Sequence, residues 1–348
     1  MARILLVVYA ALTAYATLYP MQGWRLPGIS AFAYLSAPWP RYVTHFDVAA
    51  NVLGYVPFGF LAVAALHPRV RGVPAFAAAT AAAVALSLCL EAAQSFLPAR
   101  IASNLDALCN IGGAALGAAL ALWLAPRLLA EGPLRELRRR VFLQGTAIDA
   151  GLVLVGLWLF IQLDPTTLLF GAGDLNDYLE PRAEASYPPI FFVVVEASTV
   201  AANLLAVALL FSLLASSALP LRWAIIGLVA GALAVRTAAF AILMRAEDVL
   251  AWLTPGAQIG LLAGAAFAMA AVGLPRAARV AISAVLLIAA TVLVNLAPPN
   301  PYFAASLKVW QQGHFLNLNG LTRLVSALWP LAALGYLTYL AARRRPSP

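Results

Sequence analysis

Residues 190–214 read IFFVVVEASTVAANLLAVALLFSLL, and Glu196 is the single charge in the run. A helix rises about 1.5 Å per residue, so a run this long crosses a hydrocarbon core about 30 Å thick. The strict alternation of a barrel strand is missing, which leaves a helix as the way to satisfy this backbone in lipid. Nine similar runs fill the chain, at about 3–20, 46–66, 74–96, 105–125, 147–163, 223–243, 255–274, 279–297 and 323–341. Pro, Gly and Arg interrupt them, as turns outside the hydrocarbon should. The expected fold is all-α: a polytopic bundle of about ten transmembrane helices.

Composition points the same way. Of 348 residues, 63% are hydrophobic and 10% charged, against about 25% charged in an ordinary soluble domain. So few charges cannot cover a water-soluble body of this length, which excludes a soluble enzyme, a nucleic-acid-binding domain and a disordered chain. Lys308 is the only lysine, and this skew toward arginine in an alanine-rich chain suggests a GC-rich bacterial genome. The arginines also set orientation. With a cytoplasmic N-terminus, the inner segments hold 14 of the 22 basic residues, including Arg69, Arg71, Arg138 to Arg140, Arg276, Arg279 and Arg343 to Arg345. That bias predicts a multi-pass protein of the bacterial inner membrane with both termini cytoplasmic. The first apolar run continues through Tyr19, so it reads as a retained span rather than a cleaved signal. Glycine-rich phosphate loops and HExxH are both missing, and Cys89 and Cys109 sit in apolar runs without a CxxC. No metal or cofactor is expected, and ATP-driven transport by this chain alone is excluded.

Charges inside spans are costly, so each one is a candidate for function. In the expected topology Asp47 and Asn51 open the second span, Glu91 and Gln94 close the third, and Asp106 and Asn110 open the fourth. All six therefore occupy one outer layer, with Arg100 and Ser103 in the short connection and His45 at the rim. Asp47/Asn51 and Asp106/Asn110 are spaced i,i+4 and Glu91/Gln94 i,i+3, so each pair shares a helix face. Arg100 is the expected hub, bridging to at least one acid. Gly113 and Gly117 form a GxxxG face for close helix approach, and Pro57 should disturb the second span near its middle. The same polar set also fits a purely structural reading, as hydrogen-bonded glue between helices.

Here the residues resemble a family. Asp47-Val-Ala-Ala-Asn51-Val-Leu-Gly-Tyr-Val-Pro57-Phe-Gly59 is similar to the first signature of VanZ-like membrane proteins. Glu91, Gln94, Phe96, Pro98, Arg100, Ser103, Asp106, Asn110 and Gly113 follow in the order and spacing of the second. The resemblance covers roughly residues 1–125 and implies a four-helix VanZ-like transmembrane domain. It also implies a cell-envelope role, the family's namesake being associated with low-level resistance to the glycopeptide teicoplanin. It names residues without supplying a reaction.

Residues 126–348 then form a six-helix region, readable as a degenerate copy of the first part. Val48-Ala-Ala-Asn51 recurs as Val200-Ala-Ala-Asn203, and Gly113-xxx-Gly117 has an echo in Gly260-xxx-Gly264. Glu196 and Arg236 are expected to pair, since an isolated charge at either position is expensive. Trp310-Gln-Gln-Gly-His314-Phe-Leu-Asn317-Leu-Asn319-Gly320 reads as an interfacial segment or a cover over the pocket.

The leading functional expectation is a non-enzymatic envelope protein whose outward-facing polar pocket binds a lipid-linked or polar envelope molecule. Arg100 would hold phosphate or carboxylate; Gln94, Asn51 and Asn110 would hydrogen-bond; Glu91, Asp47 and Asp106 would position Arg100 or exchange protons. Its partners are membrane lipids and a lipid-linked cell-envelope precursor, with no nucleic acid. Two other readings stay open. One is a proton-coupled secondary transporter or lipid flippase. The other is a membrane enzyme acting on a lipid-linked substrate, for which Ser103 and His45 offer the nearest nucleophile and base.

Overall fold

The computed structural model describes residues 1–125, 132–176, 187–243, 249–298 and 316–342. Among them are eleven α-helices, and each of the ten apolar runs is helical. Seven helices are long and apolar enough to cross a membrane, and three further apolar helices have 16 or 17 residues. The protein is a polytopic helical membrane protein. Its contacts divide it into two compact units, Met1–Arg139 and Arg140–Pro348.

The first unit holds α1 (Ala2–Leu18), α2 (His45–Leu66), α3 (Gly72–Gln94) and α4 (Asn104–Ala125), followed by most of the short basic helix α5 (Pro133–Val141). Helix α2 starts where Thr44 closes a capping box with Asp47, satisfying two backbone N–H groups at once. It runs on through Pro57, and the Tyr9 hydroxyl of α1 donates to the Gly54 carbonyl one turn earlier, at 2.7 Å. Pro57 has no N–H to give the Leu53 carbonyl four residues back, and the hydroxyl on the adjacent Gly54 carbonyl supports the same turn.

Helices α2 and α4 pack backbone to backbone. A Cβ on Gly113 would overlap the Val52 carbonyl, and one on Gly117 the Val56 carbonyl, while Gly59 is equally tight against Ala114. Because Val52 faces Gly113 and Val56 faces Gly117, the two helices run parallel. Ala75, Ala79, Ala114, Ala118 and Ala121 are all buried at this core, and such small side chains let membrane helices gain dispersion contact. The outward faces carry exposed Leu53, Val73 and Leu116 instead. Water would penalise such faces and acyl chains would not.

The second unit holds α6 (Thr146–Ile161), α7 (Pro189–Leu214), α8 (Leu221–Leu243), α9 (Pro255–Ala271), α10 (Arg276–Leu296) and α11 (Leu316–Ala342). It too is built on a glycine-packed parallel pair. Gly256, Gly260 and Gly264 of α9 lie against Glu196, Ala197 to Val200, and Ala201 to Leu204 of α7.

The segment after α6 departs from the expectation of a connection outside the bundle. Gln162, Asp164, Leu169, Phe170 and Ala172 are all buried. Irregular backbone survives inside a membrane protein only when side chains satisfy it, and here they do. The Arg236 guanidinium donates to the carbonyls of Asp164 and Thr167, and Asn295 Nδ2 donates to the carbonyl of Gly173 at 2.5 Å. Phe170 N donates to Gln162 Oε1 (3.2 Å), and Thr322 Oγ1 to Asp164 Oδ2 (3.0 Å). Arg236 therefore holds this segment, with Phe240 stacked beneath it, and it lies within electrostatic reach of Glu196 as expected, though no hydrogen bond joins the two. Glu196 Oε1 instead accepts from Thr254 Oγ1 at 2.6 Å. The run Trp310 to Phe315 lies outside the described residues, as do the side chains of Leu316 to Asn319.

Candidate functional site

At one end of the first unit, α2 and α4 begin and α3 ends. The short connection between α3 and α4 closes through Glu91, which is 2% exposed and accepts a hydrogen bond from Ser103 N at 2.9 Å. Ser103 caps α4, its Oγ accepting from Asp106 N at 3.3 Å. Asp106 stands within electrostatic reach of both Glu91 and Asp47, so three carboxylates share this end.

Gln94 and Arg100 turn the other way, toward α1. Gln94 Nε2 donates to the Thr17 carbonyl (3.0 Å) and Arg100 Nε to the Tyr19 carbonyl (2.7 Å). Both carbonyls belong to the end of α1, where a helix lacks intrahelical donors and favours a cation. Arg100 folds back from its loop, and its Nε meets a carbonyl at this helix end. Partial burial lowers the guanidinium pKa from its ordinary value.

One turn into the bundle, buried Asn110 donates through Nδ2 to Ser87 Oγ at 3.1 Å. The Tyr55 hydroxyl is buried close to Ser87. Asp47 is exposed and engaged with Thr44, its Oδ2 accepting from Thr44 Oγ1 at 2.6 Å. Asn51 is half-buried one turn below, and His45 is exposed at the start of α2. Neither makes a hydrogen bond to the described residues.

The amides share a pattern. Gln94, Asn104 and Asn110 each donate through their NH2 group, Asn104 to the Ala37 carbonyl at 2.8 Å. Each keeps a buried side-chain carbonyl oxygen without a partner. With Glu91, Asp47 and Asp106, these oxygens make this end rich in acceptors.

Residues 5–125 match the family model described as VanZ/LLP1. The first unit carries a VanZ-like domain. The match ends with α4 and covers about a third of the chain. No curated protein and no solved structure matches the chain.

Within the VanZ-like domain, four polar residues had escaped the sequence reading: Thr44, Ser87, Tyr55 and Asn104. Thr44 carried a usable signal. Thr44-x-x-Asp47-x-x-x-Asn51 and Ser103-x-x-Asp106-x-x-x-Asn110 share one spacing, 59 residues apart. Both begin as a Ser/Thr-x-x-Asp cap, and they start the two parallel helices side by side. Ser87 and Tyr55 carried no such signal, since a serine or tyrosine in an apolar helix reads as core.

Proposed function

We propose that the acceptor-rich end of the VanZ-like domain binds the donor-bearing headgroup, an amine or sugar hydroxyls, of a lipid-linked or other polar envelope molecule. The observation that carries this reading is the set of buried, unpartnered oxygens on Gln94, Asn104 and Asn110 at the end of the domain that also holds buried Glu91. Leaving a buried acceptor unpaired costs about 1–3 kcal/mol, and a ligand that donates to it recovers that cost. Arg100 and Gln94 act as positioning residues, fixing the end of α1 against the α3–α4 connection. Below the site, Ala62, Val63, Ala75, Ala79, Ala118 and Ala121 form an apolar core. That dry half favours binding over passage through the domain.

The arginine distribution supports placing this end outside the cytoplasmic membrane, with both termini cytoplasmic. An envelope ligand there fits a part in glycopeptide tolerance. Ile101 is exposed in the connection beside Arg100, so a cysteine there reports on orientation and occupancy together. With Cys89 and Cys109 replaced by alanine, Ile101→Cys should react in spheroplasts with a membrane-impermeant maleimide. Adding Glu91→Gln, which keeps the Ser103 hydrogen bond but removes the charge, should speed labelling several-fold as the ligand leaves. Labelling only after permeabilisation would invert the orientation, and equal rates with Glu91 and Gln would remove the ligand.

A further inference from the structure

One end of the second unit, where α7 ends and α10 begins, contains a cavity of about 310 Å³. Leu143, Ser212, Leu213, Ala215, Arg276 and Arg279 line it, and no carboxylate is among them. Arg279 Nη1 donates to Ser212 Oγ (2.8 Å) and to the Ser212 carbonyl (3.2 Å), while its Nε is buried without a partner. Arg276 lies within electrostatic reach of Arg279, so two like charges converge with nothing in the lining to neutralise them.

One further feature points to an anion. Helix α10 starts at Pro275 with no side-chain cap, so the N–H groups of its first turn keep their partial positive charge beside the arginines. One wall of the cavity is fixed. Leu143 N donates to the Leu214 carbonyl and Ser216 N to the Val141 carbonyl, both at 2.9 Å, which clamps 141–143 against the end of α7.

We propose that this cavity binds a phosphate-bearing anion, the headgroup of a membrane phospholipid, whose glycerol end would lie against Leu143, Leu213 and Ala215. Guanidinium pairs are suited to phosphate because their planar donors match its oxygens, and basic pockets at helix ends are known to hold lipid headgroups.

The test uses the full chain, purified and delipidated in detergent, with three probes followed by tryptophan fluorescence. These are dioctanoyl-phosphatidylglycerol, dioctanoylglycerol and inorganic phosphate. The phospholipid should bind, and Arg276→Gln and Arg279→Gln should each weaken it about tenfold, the loss of one charge-assisted hydrogen bond. Arg276 makes no hydrogen bond to the described residues, so its variant tests the site even if Arg279→Gln fails to fold. Dioctanoylglycerol binding as tightly as the phospholipid, or unchanged phospholipid binding in Arg276→Gln, would overturn the proposal. Inorganic phosphate competing at equal affinity would support the anion site and overturn the lipid as its occupant.

Discussion

Replacing Arg236 with methionine should lower the unfolding free energy of the chain by about 3–5 kcal/mol, because it strands a buried charge and two buried carbonyls. Arg236 is fully buried, donates to the carbonyls of Asp164 and Thr167, and faces the fully buried Asp164 carboxyl electrostatically. Heat-step fluorescence chromatography of the detergent-solubilised chain reads the effect as loss of the monodisperse peak at a lower temperature. Arg236→Lys should recover little, since a point charge cannot fork to two carbonyls. Glu196→Gln provides the contrast. Its oxygen can still accept from Thr254, so the melting shift should be small. A Glu196→Gln loss as large as that of Arg236→Met would mean that the ion pair expected from sequence is what holds this end, and not the buried segment.

Gly113→Leu should cost at least as much as a typical overpacked core, about 1–3 kcal/mol, and sits at the upper end of that range. The atom a new Cβ would meet is the Val52 carbonyl, and backbone cannot rotate away as a side chain can. Helices α2 and α4 must then part, carrying Asp106 and Asn110 away from Glu91 and Ser87. Gly112 supplies the internal control, because a Cβ there meets nothing within 4 Å. Gly112→Leu should leave melting nearly unchanged, and Gly113→Leu should lower it and abolish any Glu91-dependent binding. Similar melting for the two variants would show that the close α2–α4 approach does not hold the domain together.

Both predictions rest on features that the sequence made legible to different degrees. The helices were legible because an apolar run of fixed length has one outcome in lipid, and the GxxxG spacing of Gly113 and Gly117 named a close contact. The depth of each polar pair was legible as well, since Asp47, Glu91 and Asp106 come to the same end. Partners were not. Gln94 and Arg100 reach the carbonyls of Thr17 and Tyr19, and no pattern in α1 announces which turn will end beside them. Asp164 followed by Pro165 and Thr166 looked like an ordinary turn outside the bundle. Only the tertiary donors Arg236, Asn295 and Thr322, from three distant helices, make its burial affordable. The helix caps at Thr44 and Ser103 were readable and show how a short polar motif can be a helix start before it is anything else.

The claim that the VanZ-like domain holds an envelope molecule at Glu91 is tested most directly by photo-crosslinking in living cells. A benzophenone side chain in place of Ile101 lies at the polar end, and one in place of Trp123, also exposed, lies near the far end of α4. Mass spectrometry of the purified adducts then identifies what each touches. The expected result is a donor-bearing polar headgroup species captured at 101 and absent at 123. Glu91→Gln should reduce its yield about tenfold or more, as removal of a charged hydrogen-bond acceptor does. Bulk phospholipid captured equally at both positions, with yields indifferent to Glu91→Gln, would contradict it.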